Sequence, residues 1–405
     1  MIPLVRSWIA YAALPAAGII TAPILAHALG PEGRGHLAGI LQPMTLASAI
    51  AAIGVPSAVT YFIGRNFSPR QTTRLGIRIS FVTTVLVGLF LIFYSGRVSH
   101  QMNVDRISML LIWTAFLPSA LISIWRARLQ GFRNYVTLDL ERFLGAAFRV
   151  LIIIVLWLIG TRSVVVFAAA YMVAGLAASV VLVRPSILIK LPSETEPLQL
   201  TAKRFVNYSL LSSFGTIAAA MSARLDQAIM PVVVSSTELG FYSVAVTVSE
   251  ISSFITTVVA RNVLADASAG ISAGAITRSV LIGGLAQTAL IGGILLFLPE
   301  IVLFAFGRDF LPTVSVTRVL LISSFIGYWA TIASAYLAGL GRPGFGSLGQ
   351  AAAAVMTALL FWIEWRNLNA TVVGWISVWS QVAALVILVS LTVAIQINRR
   401  GNLTT

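Results

Sequence analysis

The chain has 405 residues, of which 58% are hydrophobic and only 10% charged, with a mean hydropathy of +0.94 and a formal net charge of +14. A soluble domain carries about 25% charged residues, so this composition excludes a protein bathed in water on all sides. There is no Cys, which excludes a disulfide framework and a thiolate metal site.

The apolar residues come in long blocks rather than in alternation. A membrane-crossing helix needs about 20 apolar residues, a membrane-crossing strand about 10 in alternation, so the blocks predict helices. The first block, residues 7–31, follows Arg6 and contains Ala26-His27-Ala28, the outline of a signal peptide. Its apolar stretch exceeds the roughly 7–15 residues of a signal core, so it reads as a span. Uncharged blocks follow at 37–64, 79–96 and 107–125. The block at 143–161 carries Arg149, and an uncharged one at 163–183 makes six. A polar stretch at 184–204 then contains Pro185, Pro192, Glu194, Glu196 and Pro197. Beyond it, 205–237 carries Arg224 and Asp226, and 239–260 carries Glu250, with only Pro231 and Ser235-Ser236 marking the break between them. Uncharged blocks at 279–299, 319–341, 343–363 and 367–398 complete a second six. The expected fold is an all-α integral membrane protein with about twelve transmembrane helices in two six-helix bundles. The expected domains are 1–183 and 205–405, joined by a linker at 184–204.

The charge of +14 invites a nucleic-acid partner, but its placement argues against one. With the N-terminus inside, 18 of the 27 Lys and Arg residues fall in inside loops, among them Arg65, Arg70, Arg74, Arg78, Arg126 and Arg128. Seven, including Arg34, fall in outside loops, and Arg149 and Arg224 lie within spans. This is the positive-inside pattern. It predicts cytoplasmic termini, and inner loops that touch anionic headgroups.

The halves carry faint self-similarity. Gly35-His36-Leu37-Ala38 precedes the second block and Gly240-Phe241-Tyr242-Ser243 the eighth, an offset of 205 from Gly35 to Gly240. Ala127-Arg128-Leu129-Gln130-Gly131 closes the fourth and Ala335-Tyr336-Leu337-Ala338-Gly339 the tenth, an offset of 208 from Leu129 to Leu337. Two offsets near half the chain predict a duplicated six-helix unit, a common plan in transporters. Pro15, Pro23, Pro43, Pro56 and Pro118 lie inside blocks and predict kinks.

No Walker-type phosphate loop occurs, and His27, His36 and His100 lack metal-ligand spacing. The outer loops are too short for a catalytic domain. The informative residues are the intramembrane charges, each costing about 2.5–3.5 kcal/mol at a helix centre. Arg224 and Asp226 are two residues apart and point about 200° apart on a helix. Glu250, in the next helix, is within reach of Arg224 as an ion-pair partner.

Three motifs carry a resemblance. Leu29-Gly30-Pro31-Glu32-Gly33-Arg34-Gly35, followed by Ile53-Gly54-Val55-Pro56-Ser57-Ala58, resembles the start of polysaccharide flippases. These are O-antigen-type oligosaccharide-lipid translocases of the multidrug/oligosaccharidyl-lipid/polysaccharide (MOP) superfamily. Arg224-Leu225-Asp226-Gln227, with Glu238-Leu239-Gly240-Phe241-Tyr242, resembles the start of their second half, and Gly339-Leu340-Gly341-Arg342-Pro343-Gly344 their tenth-to-eleventh loop. The resemblance implies two bundles around a cavity that opens alternately to each side, in the plasma membrane. It implies an undecaprenyl-diphosphate-linked glycan as substrate, with polysaccharide polymerase and glycosyltransferases as neighbouring partners. The lipid II flippase relatives carry charges in their first helix and two further C-terminal helices; their absence here favours an oligosaccharide-lipid.

Arg224, Arg149 and Arg65 are the expected phosphate-binding residues, because a guanidinium offers a planar donor fork to phosphate. Asp226 and Glu250 are the candidates for coupling H⁺ or Na⁺, with no cofactor and no metal. The rival readings are a drug or cation antiporter of the same fold, a membrane glycosyltransferase or ligase, and an envelope scaffold.

Overall fold

The computed structural model describes residues 2–188 and 198–401, so the middle of the expected linker, 189–197, lies outside the described residues. Among those described there is no strand, only an isolated parallel bridge between Phe67 and Leu198. Helix α1 (Ile2–Ala52) is two helices in one run. Gly30 breaks it with φ 66° and ψ −178°, which glycine adopts without steric cost. Pro31 disfavours helical geometry at the residue before it and starts the next helix well. Helix α2 (Val55–Gly64) begins after a second break at Ile53 and Gly54, both at positive φ. Helix α3 (Pro69–Met102) follows Ser68, whose Oγ accepts from the Gln71 N–H at 3.5 Å.

Asp105 caps α4 (Arg106–Trp113), accepting from Ser108 N–H at 2.8 Å and Ser108 O–H at 2.6 Å. Those two bonds hold its exposed carboxyl below the usual range. Helices α5 (Phe116–Gly131), α6 (Tyr135–Leu158), α7 (Val164–Leu188) and α8 (Ala202–Ile229) follow. A 3₁₀ turn, Met230–Val232, sits at Pro231, the break expected there. Helices α9 (Ser236–Glu250) and α10 (Ser253–Ser268) are bent by 46°. Helices α11 (Ala273–Leu296), α12 (Leu298–Phe306), α13 (Thr313–Gly339), α14 (Pro343–Ile363) and α15 (Ala370–Gly401) complete the chain.

Each of the twelve apolar blocks is largely helical. By length and composition eight helices are long and apolar enough to cross a membrane, nine with the bent α9–α10 pair. Helix α1 counts once in that tally although Gly30 divides it, and α6 and α8, which carry Arg149, Arg224 and Asp226, fall outside it.

The chain separates into two compact units, Met1–Ile217 and Ala218–Thr405. In the first, α1 packs on α3, α6 and α7, and α2 on α3 and α5. Val55, Phe62, Ile124 and Phe205 form a buried cluster there. In the second, α13 is the hub, packing on α9, α10, α14 and α15. Its Tyr328 is fully buried and donates to the Val280 carbonyl at 2.7 Å.

Small residues set the closest approaches, as expected where lipid supplies no hydrophobic drive between helices. A Cβ on Gly131, at the end of α5, would lie 2.8 Å from Ile63 Cβ at the end of α2. A Cβ on Gly339, at the end of α13, would lie 2.6 Å from Ala267 Cβ near the end of α10. The two exit motifs that are 208 residues apart thus make the same kind of contact, one in each unit.

Candidate functional site: the membrane-embedded arginines

In the first unit α1, α6 and α7 pack on one another. Arg149 projects from α6, and its guanidinium carbon stands 4.5 Å from the centroid of the Tyr171 ring on α7. Arg34, just past the Gly30 break on α1, is only 8% exposed and lies within electrostatic range of Tyr171. Its Nε is buried with no hydrogen-bond partner among the described residues. Gly33 fits the break within α1 itself, since a Cβ there would be 2.9 Å from Leu29 Cβ of the same helix, while Val164 of α7 at 3.6 Å would be an ordinary contact.

No described carboxylate pairs with Arg34 or Arg149. The acids of α6 are engaged elsewhere. Asp139 takes Arg6 at 3.1 Å and Arg142 at 3.7 Å, and Glu141 takes Arg126 at 2.5 Å. At 1.5 Å rise per residue they lie about 15 and 12 Å along the helix axis from Arg149, too far to neutralise it. The Tyr171 ring attracts a cation by about 0.5–2 kcal/mol but cancels no charge. Two cations thus lie near one aromatic ring, and the Nε of one of them, Arg34, is buried without a hydrogen-bond partner among the described residues.

The second unit handles its arginine differently. Arg224 Nη2 of α8 lies 3.0 Å from Glu250 Oε1 of α9. Asp226 accepts from the Tyr242 hydroxyl, also on α9, and from the Gln227 N–H at 2.7 Å. Tyr242 is fully buried. The two α8 residues, two positions apart, thus both find partners on α9, eight residues apart. A cavity of about 410 Å³ in this unit, bordered by Ser268, Ile271, Tyr336 and Leu340, has no charged side chain in its wall.

Arg65 stands apart from Arg149. It is exposed at the end of α2, over the Tyr61 ring at 5.2 Å, and Tyr61 stacks on Tyr208 at 4.3 Å. The α2 end meets the α5 end at Ile63 and Gly131, and α6 starts four residues later. Arg149 is fourteen residues, about 20 Å, along α6 from that start. Arg34 is the residue that sequence reasoning missed, because Gly30-Pro31-Glu32-Gly33 reads as a loop. Among the described residues no cluster of three or more His, Asp or Glu could hold a metal.

The fold defines a multi-pass, all-α membrane protein. The chain belongs to the family described as "Polysaccharide biosynthesis protein", which matches residues 6–265. Among solved structures it is similar to the lipid II flippase MurJ in an inward closed conformation, at 10% identity and TM-score 0.74, covering 96% of this chain and 87% of that one. It is also similar to an outward-facing MATE-family multidrug resistance transporter of the MOP superfamily, at 15% identity and TM-score 0.55, covering 96% of each chain. A MOP superfamily transporter from Pyrococcus furiosus, described as having a binding pocket of reverse polarity, matches at 14% identity and TM-score 0.54, covering 94% of this chain and 93% of that one. At these identities the likeness is one of fold. No curated protein matches.

Proposed function

We propose that this protein flips an undecaprenyl-diphosphate-linked oligosaccharide from the cytoplasmic to the outer leaflet of the plasma membrane by alternating access, with both termini cytoplasmic. It is a transporter in this reading, not an enzyme. The observation that carries it is the pair of uncompensated arginines, Arg34 and Arg149, around Tyr171. A diphosphate cannot cross hydrocarbon alone, and guanidinium forks are the side chains best matched to its oxygens. Uncompensated cations inside a membrane are costly, and an anionic substrate explains why they persist. Membership of a polysaccharide biosynthesis family supports a glycan as the rest of the cargo. An antiporter for cationic drugs would be poorly served by this site, which repels cations. Asp226 and Glu250 remain the candidates for coupling H⁺ or Na⁺, and membrane lipids, polymerase and glycosyltransferases the expected partners.

The test is flipping of a fluorescent undecaprenyl-diphosphate oligosaccharide in proteoliposomes. A lost hydrogen bond to a charged group costs about 1.5–3 kcal/mol, so Arg149→Gln should slow flipping by about ten- to a hundred-fold at limiting substrate. Arg149→Lys should recover part of it, because the charge remains and the fork does not. Wild-type flipping by a folded Arg149→Gln protein would remove the arginine from the site.

A further inference from the structure

A second group of arginines lies outside the site just described. Helix α3 is 34 residues long, about 51 Å, against a hydrocarbon core of about 30 Å. Its uncharged run, 79–96, is bounded by Arg78 and Arg97 and spans about 27 Å. The N-terminal part of α3 therefore projects beyond the hydrocarbon. Arg70, Arg74 and Arg78 are all exposed on that part, four residues apart, and so share one face. The same face continues inward through exposed Val82, Val85, Leu89 and Phe93. The opposite face, Thr72, Gly76, Ser80 and Thr84, is buried against the bundle. The apolar stripe meets acyl chains, so the arginine stripe continues from lipid tails out through the headgroup layer.

The stripe climbs about 12 Å from Arg78 to Arg70, while the headgroup layer is about 5–7 Å deep. Arg78 and Arg74 stand within that layer, and Arg70 reaches back to it along its flexible stem. Arg128 at the end of α5 extends the patch. Its Nη1 donates to Thr73 at 3.0 Å, it lies close enough to Arg70 to repel it, and its Nε is buried without a partner. None of the four pairs with a described carboxylate.

We infer that Arg70, Arg74, Arg78 and Arg128 form a headgroup site for an acidic phospholipid of the adjoining leaflet, its tails lying along Val82, Val85 and Leu89. Charge complementarity and the continuous lipid-facing stripe select a phospholipid over a soluble anion. The site retains lipid through purification and fixes the depth of α3 in the membrane.

Native mass spectrometry of the full chain in neutral detergent, titrated with phosphatidylglycerol or phosphatidylcholine, tests this. Wild-type protein should bind the acidic lipid and not the zwitterionic one. A surface arginine contributes about fivefold to binding an anionic headgroup, so Arg70→Gln/Arg74→Gln/Arg78→Gln should bind about a hundredfold more weakly. The triple Arg→Lys protein should stay within about tenfold of wild type. The control Arg133→Gln/Arg278→Gln/Arg342→Gln loses the same charge elsewhere and should bind as wild type does. Should the stripe triple fail to accumulate, Arg74→Gln alone reads the effect as about fivefold. Equal binding of both lipids, wild-type binding by the stripe variants, or an equal loss in the control would each overturn the site.

Discussion

The two units each carry arginine on the helices of their bundle, and they treat it in opposite ways. In the second, Arg224 meets Glu250 at 3.0 Å and Asp226 meets Tyr242, so the charges are answered within the protein. In the first, Arg34 and Arg149 gather around Tyr171, with no described carboxylate closer along α6 than about 12 Å. A neutralised arginine is bound to its partner before any substrate arrives, whereas an uncompensated one holds its donors in reserve. The two units thus differ in where the acids are kept. In α6 they sit near the start of the helix, engaged by Arg6, Arg142 and Arg126.

The comparison breaks most sharply if the first unit is given what the second has. Tyr171→Glu sets a carboxylate beside Arg149 and within electrostatic range of Arg34. The protein should accumulate at least as well as wild type, and flipping in proteoliposomes should fall by a hundredfold or more, since the internal acid competes with the diphosphate. Tyr171→Phe keeps the ring face under Arg149 and should stay within about fivefold of wild type. If Tyr171→Glu flips normally, the first unit's arginines do not hold the substrate.

The next effect concerns packing that both units share. Gly54 combines φ 68° with a Cβ position 2.2 Å from the Ser209 carbonyl oxygen and 2.4 Å from Ser212 Oγ. Gly54→Ala adds left-handed strain to overpacking and should destabilise by about 3 kcal/mol. The exit glycines are milder. Gly131→Ala presses on side-chain atoms of Ile63, and Gly339→Ala on Ala267 and on the Leu264 carbonyl at 2.9 Å. Each should cost about 1–3 kcal/mol, with Gly339 the costlier because backbone yields less than a side chain. Thermal unfolding in detergent reads the order Gly54, Gly339, Gly131, and a reversal of the last two would show that α10 yields more readily than α2.

Much of this architecture was legible in the sequence because the bilayer allows so few solutions. Every apolar block is largely helical, and the Gly30-Pro31, Ile53-Gly54 and Pro231 breaks lie where Gly and Pro mark them, whereas those at Thr114-Ala115 and Ile251-Ser252 carry no Gly or Pro. The two exit motifs read as a repeat, and their glycines make matching contacts. The Arg224–Glu250 pair was within reach of sequence because both charges interrupt apolar helices. Arg34 was not: periodicity locates helices, but whether a charge at a helix start faces water or a neighbouring ring depends on three helices meeting, here α1, α6 and α7. Arg65 lies exposed at a helix end over the Tyr61 ring, apart from Arg149, which periodicity alone does not reveal.

The smallest expected effect is also the one that decides which side of the comparison Arg224 belongs to. Its side chain is 33% exposed and that of Glu250 51%. An ion pair that open to water couples weakly, by about 0.2–1 kcal/mol, and is screened by salt, since the Debye length is about 10 Å at 0.1 M. Arg224→Gln and Glu250→Gln, alone and together, should give a double-mutant cycle in thermal unfolding with coupling in that range that shrinks as NaCl rises. The double variant should still flip substrate within about fivefold of wild type, because the first unit's arginines are intact. Coupling that is large and indifferent to salt would mean that the pair faces lipid or protein rather than water, where loss of one partner strands the other charge. Arg224 would then be a structural cation only. A double variant that unfolds normally yet flips a hundredfold more slowly would mean the reverse: Glu250 holds Arg224 only until substrate arrives, and both units contribute to the site.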